Sequence, residues 1–73
     1  MTHYSELIQT IKERRKMLRV TKKTLAELSG VGLRTLKEFE SGEGNPTLIT
    51  LQKIAEVLGL EISMKIKNIS GSK

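Results

Sequence analysis

The side chains of this sequence that could take part in chemistry are mainly basic. The chain carries 13 lysine and arginine residues against 8 aspartate and glutamate residues, a formal net charge of +5. Residues 1–30 hold seven basic and three acidic side chains, residues 31–60 hold three and four, and residues 61–73 hold three and one. A basic surplus favours a polyanionic partner, although many surface lysines are simply solvated.

The residue types that enzymes need are scarce. His3 is the one histidine, and it lies in a terminal segment that we expect to fray, with no partner group nearby. The sequence has no cysteine, no metal-ligand spacing and no glycine-rich phosphate loop, since Gly42-Glu43-Gly44 has the composition of a turn. We therefore expect no enzyme activity, no metal site and no cofactor.

Length and composition limit the chain to one small domain. A chain of 73 residues buries only about 60% of its unfolded surface, so it is marginally stable alone. Very regular helix packing or pairing with a second copy could supply the missing stability. No apolar run exceeds two residues, whereas a membrane span needs about 20, and no signal peptide is visible. We expect a soluble, cytoplasmic protein that contacts no membrane.

Apolar periodicity predicts four helices that position these side chains. The first runs from about Tyr4 to Arg19, and its buried stripe at i, i+3, i+4 and i+7 comprises Leu7, Ile8, Ile11, Arg15 and Leu18. The second helix, Lys22–Ser29, begins after the N-cap Thr21 and ends at Gly30. The third, Leu33–Ser41, ends at Gly42. The fourth begins after the N-cap Thr47 and ends at Gly59. The predicted inner face of the fourth helix comprises Leu48, Leu51, Ile54, Ala55 and Leu58.

The segment Leu60–Lys67 has a different period. Ile62, Met64 and Ile66 alternate with polar residues, which favours a half-buried strand over a competing fifth helix. A lone strand needs a partner, and antiparallel pairing with the same segment of a second copy is the simplest one. We thus predict a helical domain over 1–60, a dimerisation strand over 61–68 and a disordered tail over 69–73.

The second and third predicted helices have the spacing of a helix-turn-helix. Ala26 is small where the two helices would approach, and Gly30 suits the tight turn between them. Apolar anchors on both sides of the turn would hold the helices to the core: Leu25, Val31, Leu36 and Phe39. On spacing alone, an ordinary αα-hairpin remains the alternative.

Residues 11–60 resemble the phage repressor and Cro (XRE) family of helix-turn-helix domains. The resemblance is carried by LAELSGVG, by E-S-G followed by N-P, and by L-x-x-I-A-x-x-L-G. It implies an all-α, lambda-repressor-like bundle of four helices, here with a short C-terminal β-strand paired across a dimer. It also implies that the third helix is the recognition helix in the major groove of double-stranded DNA.

The resemblance assigns roles to particular residues. The expected base contacts are Leu33, Arg34, Lys37 and Glu38, of which Arg34 can grip guanine O6 and N7 together. The expected phosphate contacts are Thr21, Lys22, Lys23, Gly32, Thr35, Ser41 and Asn45. For Arg34 and Lys37, contact with phosphate alone is the alternative. Arg15 and Glu40 are expected to form a partly buried structural ion pair.

One residue departs from the family pattern. The family usually has glutamine where this chain has Lys22. Lysine still binds phosphate at a helix N-terminus, but it cannot accept the hydrogen bond that glutamine accepts from a neighbouring side chain.

The ending VLGLEISMKIKN resembles that of small HipB-type antitoxins, which dimerise through a terminal strand, repress their own operon and bind a toxin. The resemblance implies a homodimer, a repressor and a possible toxin partner. A homodimer would place two recognition helices about one DNA turn apart, which predicts a palindromic operator. The alternative is a protein-interaction module that holds a toxin and reads little DNA.

Overall fold

The computed structural model of the chain describes residues 3–64, with side chains described from Tyr4 onward. This part folds into four helices: α1 (His3–Met17), α2 (Lys22–Ser29), α3 (Leu33–Glu40) and α4 (Leu48–Val57). The prediction of a four-helix bundle is confirmed. No helix in this part is long and apolar enough to cross a membrane.

Local sequence signals set where α2 and α4 begin and where α2 ends. Thr21 and Thr47 have extended backbones, and their hydroxyl oxygens accept hydrogen bonds from the N–H groups of Thr24 (3.0 Å) and Thr50 (3.1 Å). Each bond satisfies a donor that has no partner inside its helix. Gly30 ends α2 in the left-handed conformation (φ 77°), which glycine adopts without a steric penalty.

One apolar core holds the four helices together. α2 packs against both α3 and α4, and α1 packs against α3. Phe39 is fully buried and makes an edge-to-face contact with Tyr4, with ring centroids 6.2 Å apart. Because helices of eight residues are unstable alone, α2 and α3 depend on this burial. The core comprises Ile8, Ile11, Leu25, Ala26, Val31, Leu36, Phe39, Leu51, Ile54 and Leu58.

α1 ends two residues earlier than the sequence predicted. It stops at Met17, and Leu18, expected in the buried stripe, is 42% exposed. The cause is the left-handed backbone of Arg19 (φ 59°), which turns the chain so that the Val20 N–H donates to the Arg15 carbonyl at 3.1 Å. This is a Schellman-type helix end with arginine at the position that glycine usually occupies.

Two other leucines lie at the surface, and one of them, Leu48, was expected on the inner face of the fourth helix. Leu28 is 65% exposed and Leu48 is 59% exposed. The buried side of α2 is centred between Leu25 and Ala26, and with about 100° of rotation per residue Leu28 lies roughly 110° from that centre. Leu48 is the first residue of α4, one turn before the buried Leu51.

The C-terminal strand predicted over Leu60–Lys67 is not supported, and neither is its pairing across a dimer. Residues 61–64 have no regular secondary structure, and the part of the chain that the structure describes contains no strand. A strand needs hydrogen bonds to a neighbouring strand, and residues 3–64 of a single chain supply none. Ile66 and the predicted tail, 69–73, lie outside the described residues.

Candidate nucleic-acid interface

A buried ion pair fixes the end of α3 against α1. Arg15 Nε donates to Glu40 Oε2 at 2.8 Å and Nη2 donates to Oε1 at 3.0 Å, so the guanidinium grips the carboxylate with two hydrogen bonds. A third donor, Nη1, bonds to the Val20 carbonyl at 2.9 Å. The two side chains are 10% and 2% exposed. This is the pair that the resemblance implied, and its role is to orient α3.

α3 has one buried face and one exposed face. Leu36 and Phe39 are fully buried, whereas the Arg34 side chain is 92% exposed and Lys37 is exposed beside it. Leu33, the one apolar residue among the predicted base contacts, is half-buried and packs against the core. Only part of its side chain is therefore available for the predicted base contact.

The N-termini of α2 and α3 are capped differently. Thr21 caps α2, and its own hydroxyl donates to Thr24 Oγ1 at 3.0 Å. Gly32 is the N-cap of α3 and supplies no side-chain cap. The first N–H groups of α3 therefore lack the side-chain acceptor that α2 has, and they lie at the positive end of the helix dipole. Such a helix end is suited to an anion.

The other predicted phosphate contacts lie at the start of α2 and beyond the end of α3. Lys22 and Lys23 form the first turn of α2, where Lys23 is exposed and Lys22 is half-buried. Ser41 and Asn45 are exposed after α3, and the Ser41 hydroxyl donates to the Glu38 carbonyl at 2.9 Å. Because α3 has eight residues, contacts at its two ends are separated by about 12 Å.

Glu38 connects the exposed face of α3 to the loop that follows it. Its Oε2 lies 3.3 Å from Arg34 Nε, one helical turn away. Beside this pair, residues of α3 and the loop line a surface pocket of about 230 Å³. The structure therefore brings three predicted contact residues together around one pocket: Thr35, Glu38 and Asn45.

Two charged residues make contacts that the sequence did not predict, Arg14 at the end of α4 and Glu43 at the pocket. Arg14, which is not part of the predicted buried stripe of the first helix, is half-buried, and its Nε donates to the Leu58 carbonyl at 2.8 Å at the C-terminal end of α4. The i+3 spacing of Arg14 from Ile11 was the signal that could have revealed it. Glu43 places a second carboxylate on the pocket that Glu38 lines, and no sequence pattern predicts that approach.

These features define a class of protein. Two eight-residue helices meet at a tight turn through Gly30, and the second is anchored on one side and polar on the other. In residues 3–64 no group of three or more His, Cys, Asp or Glu side chains is placed to hold a metal ion. This is the arrangement of a helix-turn-helix unit, with α3 as its exposed second helix.

Comparison with known proteins supports the assignment to the helix-turn-helix class. The family model described as helix-turn-helix matches residues 11–64, which is most of the chain. The chain belongs to this family of DNA-binding domains, of the phage repressor and Cro type. The family comprises domains of transcription regulators and is not an enzyme family.

Two relatives are similar over most of this chain. The cryptic phage CTXphi transcriptional repressor RstR of Vibrio cholerae is 43% identical over 56 residues, which cover 71% of this chain and 50% of that protein. An uncharacterized HTH-type transcriptional regulator of Methanothermobacter thermautotrophicus is 43% identical over 51 residues, covering 70% of this chain and 74% of that protein. The chain thus spans about half the length of the first relative. No solved structure gives a significant match.

Proposed function

We propose that the chain is a transcriptional regulator that binds duplex DNA sequence-specifically as a homodimer and acts as a repressor. α3 enters the major groove and reads base edges, while the first turn of α2 contacts the sugar-phosphate backbone. The observation that carries this proposal is the division of α3 into two faces. Leu36, Phe39 and Glu40 are buried, which leaves Arg34 and Lys37 projecting from a rigidly held helix.

Arg34 makes the main base contact in this proposal. Its guanidinium can donate to O6 and N7 of guanine at once, a pairing that no other base offers in the major groove. Lys37 lies three residues further on the same exposed face and contacts a base or a phosphate. The exposed part of Leu33 contacts a thymine methyl group, and Glu38 can accept a hydrogen bond from a cytosine amino group.

The phosphate contacts position α3 without reading sequence. Lys22 and Lys23 supply positive charge at the start of α2, in the N-terminal part of the chain where the basic surplus lies. The uncapped N-terminus of α3 at Gly32 supplies backbone donors. The remaining contacts come from polar side chains: Thr21, Thr35, Ser41 and Asn45.

The homodimer is proposed because of the residues that follow α4. Ile62 is half-buried against the core, while Met64 is 95% exposed. A second copy that paired along residues 61–67 would cover the exposed methionine and satisfy the backbone of both segments. The two α3 helices would then lie about one DNA turn apart, roughly 34 Å, which predicts a palindromic operator. The printed names of the relatives, a repressor and a transcriptional regulator, support the regulatory role.

Salt-dependent DNA binding tests the proposal. Fluorescence anisotropy would compare a duplex from the promoter upstream of the chain's own gene with a scrambled duplex of equal length and composition. We expect the promoter duplex to bind more tightly, with an affinity that falls steeply as salt rises. Arg34→Ala should reduce the discrimination between the duplexes by about 1–3 kcal/mol, and Lys22→Ala should weaken both alike.

Lys53→Ala provides a charge-matched control, because Lys53 is exposed on α4 outside the proposed interface. It should leave discrimination unchanged. Equal, weak binding of both duplexes at low salt would contradict the proposal and favour a module that holds a partner protein.

The oligomeric state has a separate test. Light scattering should find a dimer for the full chain and a monomer after deletion of residues 61–73. A dimer that survives the deletion would contradict pairing through this segment and leave DNA reading by α3 untouched. The antitoxin role stays a prediction, and a toxin gene in the adjacent open reading frame is the observation that would support it.

A further inference from the structure

The Arg34–Glu38 pair on α3 is asymmetric. Arg34 is 92% exposed at its side chain and Glu38 only 43%, with Nε and Oε2 3.3 Å apart. The hydrogen bond to Glu38 comes from one N–H of the guanidinium, at Nε, and the two terminal nitrogens, with their four N–H groups, form no hydrogen bond to Glu38. Arg34 is therefore tethered along one edge, while the end of the fork that can grip guanine stays available.

The loop after α3 holds the glutamate in place. The Glu38 carbonyl accepts hydrogen bonds from the Glu43 N–H at 2.8 Å and from the Ser41 hydroxyl at 2.9 Å. Gly44 lies beside the Glu38 side chain, since a Cβ atom built on it would be at ordinary van der Waals distance, 3.5 Å from Glu38 Cβ and 3.7 Å from Oε1. The loop thus fixes the backbone of Glu38 and borders its side chain, which is less exposed than that of Arg34. We therefore take Glu38 to be the partner that limits where Arg34 can point.

We propose that Glu38 is a specificity-determining residue that acts on Arg34 within the same helix. It holds the guanidinium by Nε, with its two terminal nitrogens directed outward, and its carboxylate disfavours every phosphate that could bind Arg34 instead. This inference rests on the proposed function, since it assumes that Arg34 meets DNA. It is an alternative to the direct contact of Glu38 with cytosine, because here the effect of Glu38 passes through Arg34.

Electrostatics gives the reason for discrimination. On DNA without a guanine at the right position, Arg34 can gain only a phosphate contact, which competes with Glu38 and brings a phosphate close to its carboxylate. On the operator, the terminal nitrogens of Arg34 bind guanine while Nε keeps its bond to Glu38. The carboxylate therefore lowers the affinity for non-operator DNA more than the affinity for the operator.

Two variants with equal charge change test the proposal. Glu38→Gln and Glu43→Gln each remove one negative charge from the same pocket, but only Glu38 contacts Arg34. With the promoter and scrambled duplexes, Glu38→Gln should lower the ratio of affinities by about two- to fivefold, the range expected for an exposed ion pair. It should do so by tightening binding to the scrambled duplex. Glu43→Gln should tighten both duplexes alike and leave the ratio unchanged.

A double-variant cycle gives the decisive comparison. In the Arg34→Ala background, Glu38→Gln should no longer change the ratio, because the residue through which it acts is absent. If the change persists there, or if Glu38→Gln weakens the promoter complex, Glu38 contacts DNA directly and the inference is wrong. If Glu38→Gln and Glu43→Gln behave identically, only net charge matters and the inference is also wrong. If Arg34→Ala alone leaves the ratio unchanged, the proposed function itself has failed.

Discussion

Two arginine–glutamate pairs of this chain have the same chemistry in different surroundings. Arg15 and Glu40 lie on different helices, meet through two hydrogen bonds and are 10% and 2% exposed. Arg34 and Glu38 lie one turn apart on α3, meet through one longer contact and are 92% and 43% exposed. The first pair is shielded from water, and the second is open to any ligand that reaches α3.

Burial decides whether an ion pair holds the fold together or can exchange partners. Removing two charges from water is costly, so the buried pair persists only because each charge satisfies the other and Arg15 also bonds to the Val20 carbonyl. The exposed pair gives up little hydration and gains little stability. It can therefore exchange partners, which a recognition residue must do and a structural residue must not.

The largest expected effect comes from breaking the buried pair. Arg15→Ala or Glu40→Ala should each lower the free energy of unfolding by about 3–5 kcal/mol, because the remaining charge is stranded in the core. In so small a domain this can abolish folding, so urea denaturation of each variant would be accompanied by the double variant Arg15→Met/Glu40→Leu. That variant should lie much closer to the parent, since no charge is left unpaired.

A loss of less than about 1 kcal/mol in the single variants, as is typical of exposed pairs, would contradict this prediction. A double variant less stable than either single variant would contradict it as well. All measurements need the same chain concentration, because dimerisation would contribute to the apparent stability.

The sequence predicted the helices well because their signals are local. Thr21, Thr47 and Gly30 mark helix boundaries through contacts within a few residues, and the structure places them where expected. The end of α1 was missed because Arg19 adopts a backbone conformation that non-glycine residues rarely use. The strand was inferred from the alternation around Met64, and no residue between 3 and 64 supplies the partner such a strand needs.

The candidate site was predictable in type but not in arrangement. The exposure of Arg34 and Lys37 follows from the apolar residues on the opposite side of α3. Arg15 and Glu40 are 25 residues apart in the sequence, and their buried contact was predicted only from the family resemblance. The packing of Leu33 against the core depends on how the helices meet, and that geometry has no short sequence pattern.

A second, smaller effect is expected at the turn after α1, where Arg15 bonds to the Val20 carbonyl. Arg19 (φ 59°) and Gly42 (φ 88°) occupy equivalent left-handed positions after α1 and α3. Nothing lies within 4 Å of a Cβ atom built on Gly42, so Gly42→Ala should cost about 1–2 kcal/mol from backbone strain alone. Arg19→Gly should relieve the same strain and, after the entropy that glycine loses, stabilise by about 0.5–1 kcal/mol.

These two variants also test what the buried pair supports. If the bond from Arg15 to the Val20 carbonyl holds the strained turn, then Arg15→Ala should cost less in the Arg19→Gly background than in the parent. Equal costs in the two backgrounds would mean that the Arg15–Glu40 pair anchors α3 but does not stabilise the turn at Arg19. Urea denaturation of the four chains measures this coupling.

The smallest expected effect on stability comes from the exposed pair. Arg34→Ala and Glu38→Ala should each change the free energy of unfolding by less than about 0.5 kcal/mol, since an i,i+4 pair in water contributes no more. The change should shrink further in high salt, which screens exposed charges and leaves the buried pair largely unaffected.

For Arg34→Ala, this small effect on stability contrasts with the large effect expected on DNA discrimination. A variant whose free energy of unfolding is unchanged, but which loses about 1–3 kcal/mol of discrimination between the duplexes, has lost a recognition contact and nothing else. If Arg34→Ala instead cost more than about 1 kcal/mol of stability, its guanidinium would be a structural group like that of Arg15. Loss of DNA binding could then reflect a disordered α3, and the exposed pair would no longer differ in kind from the buried one.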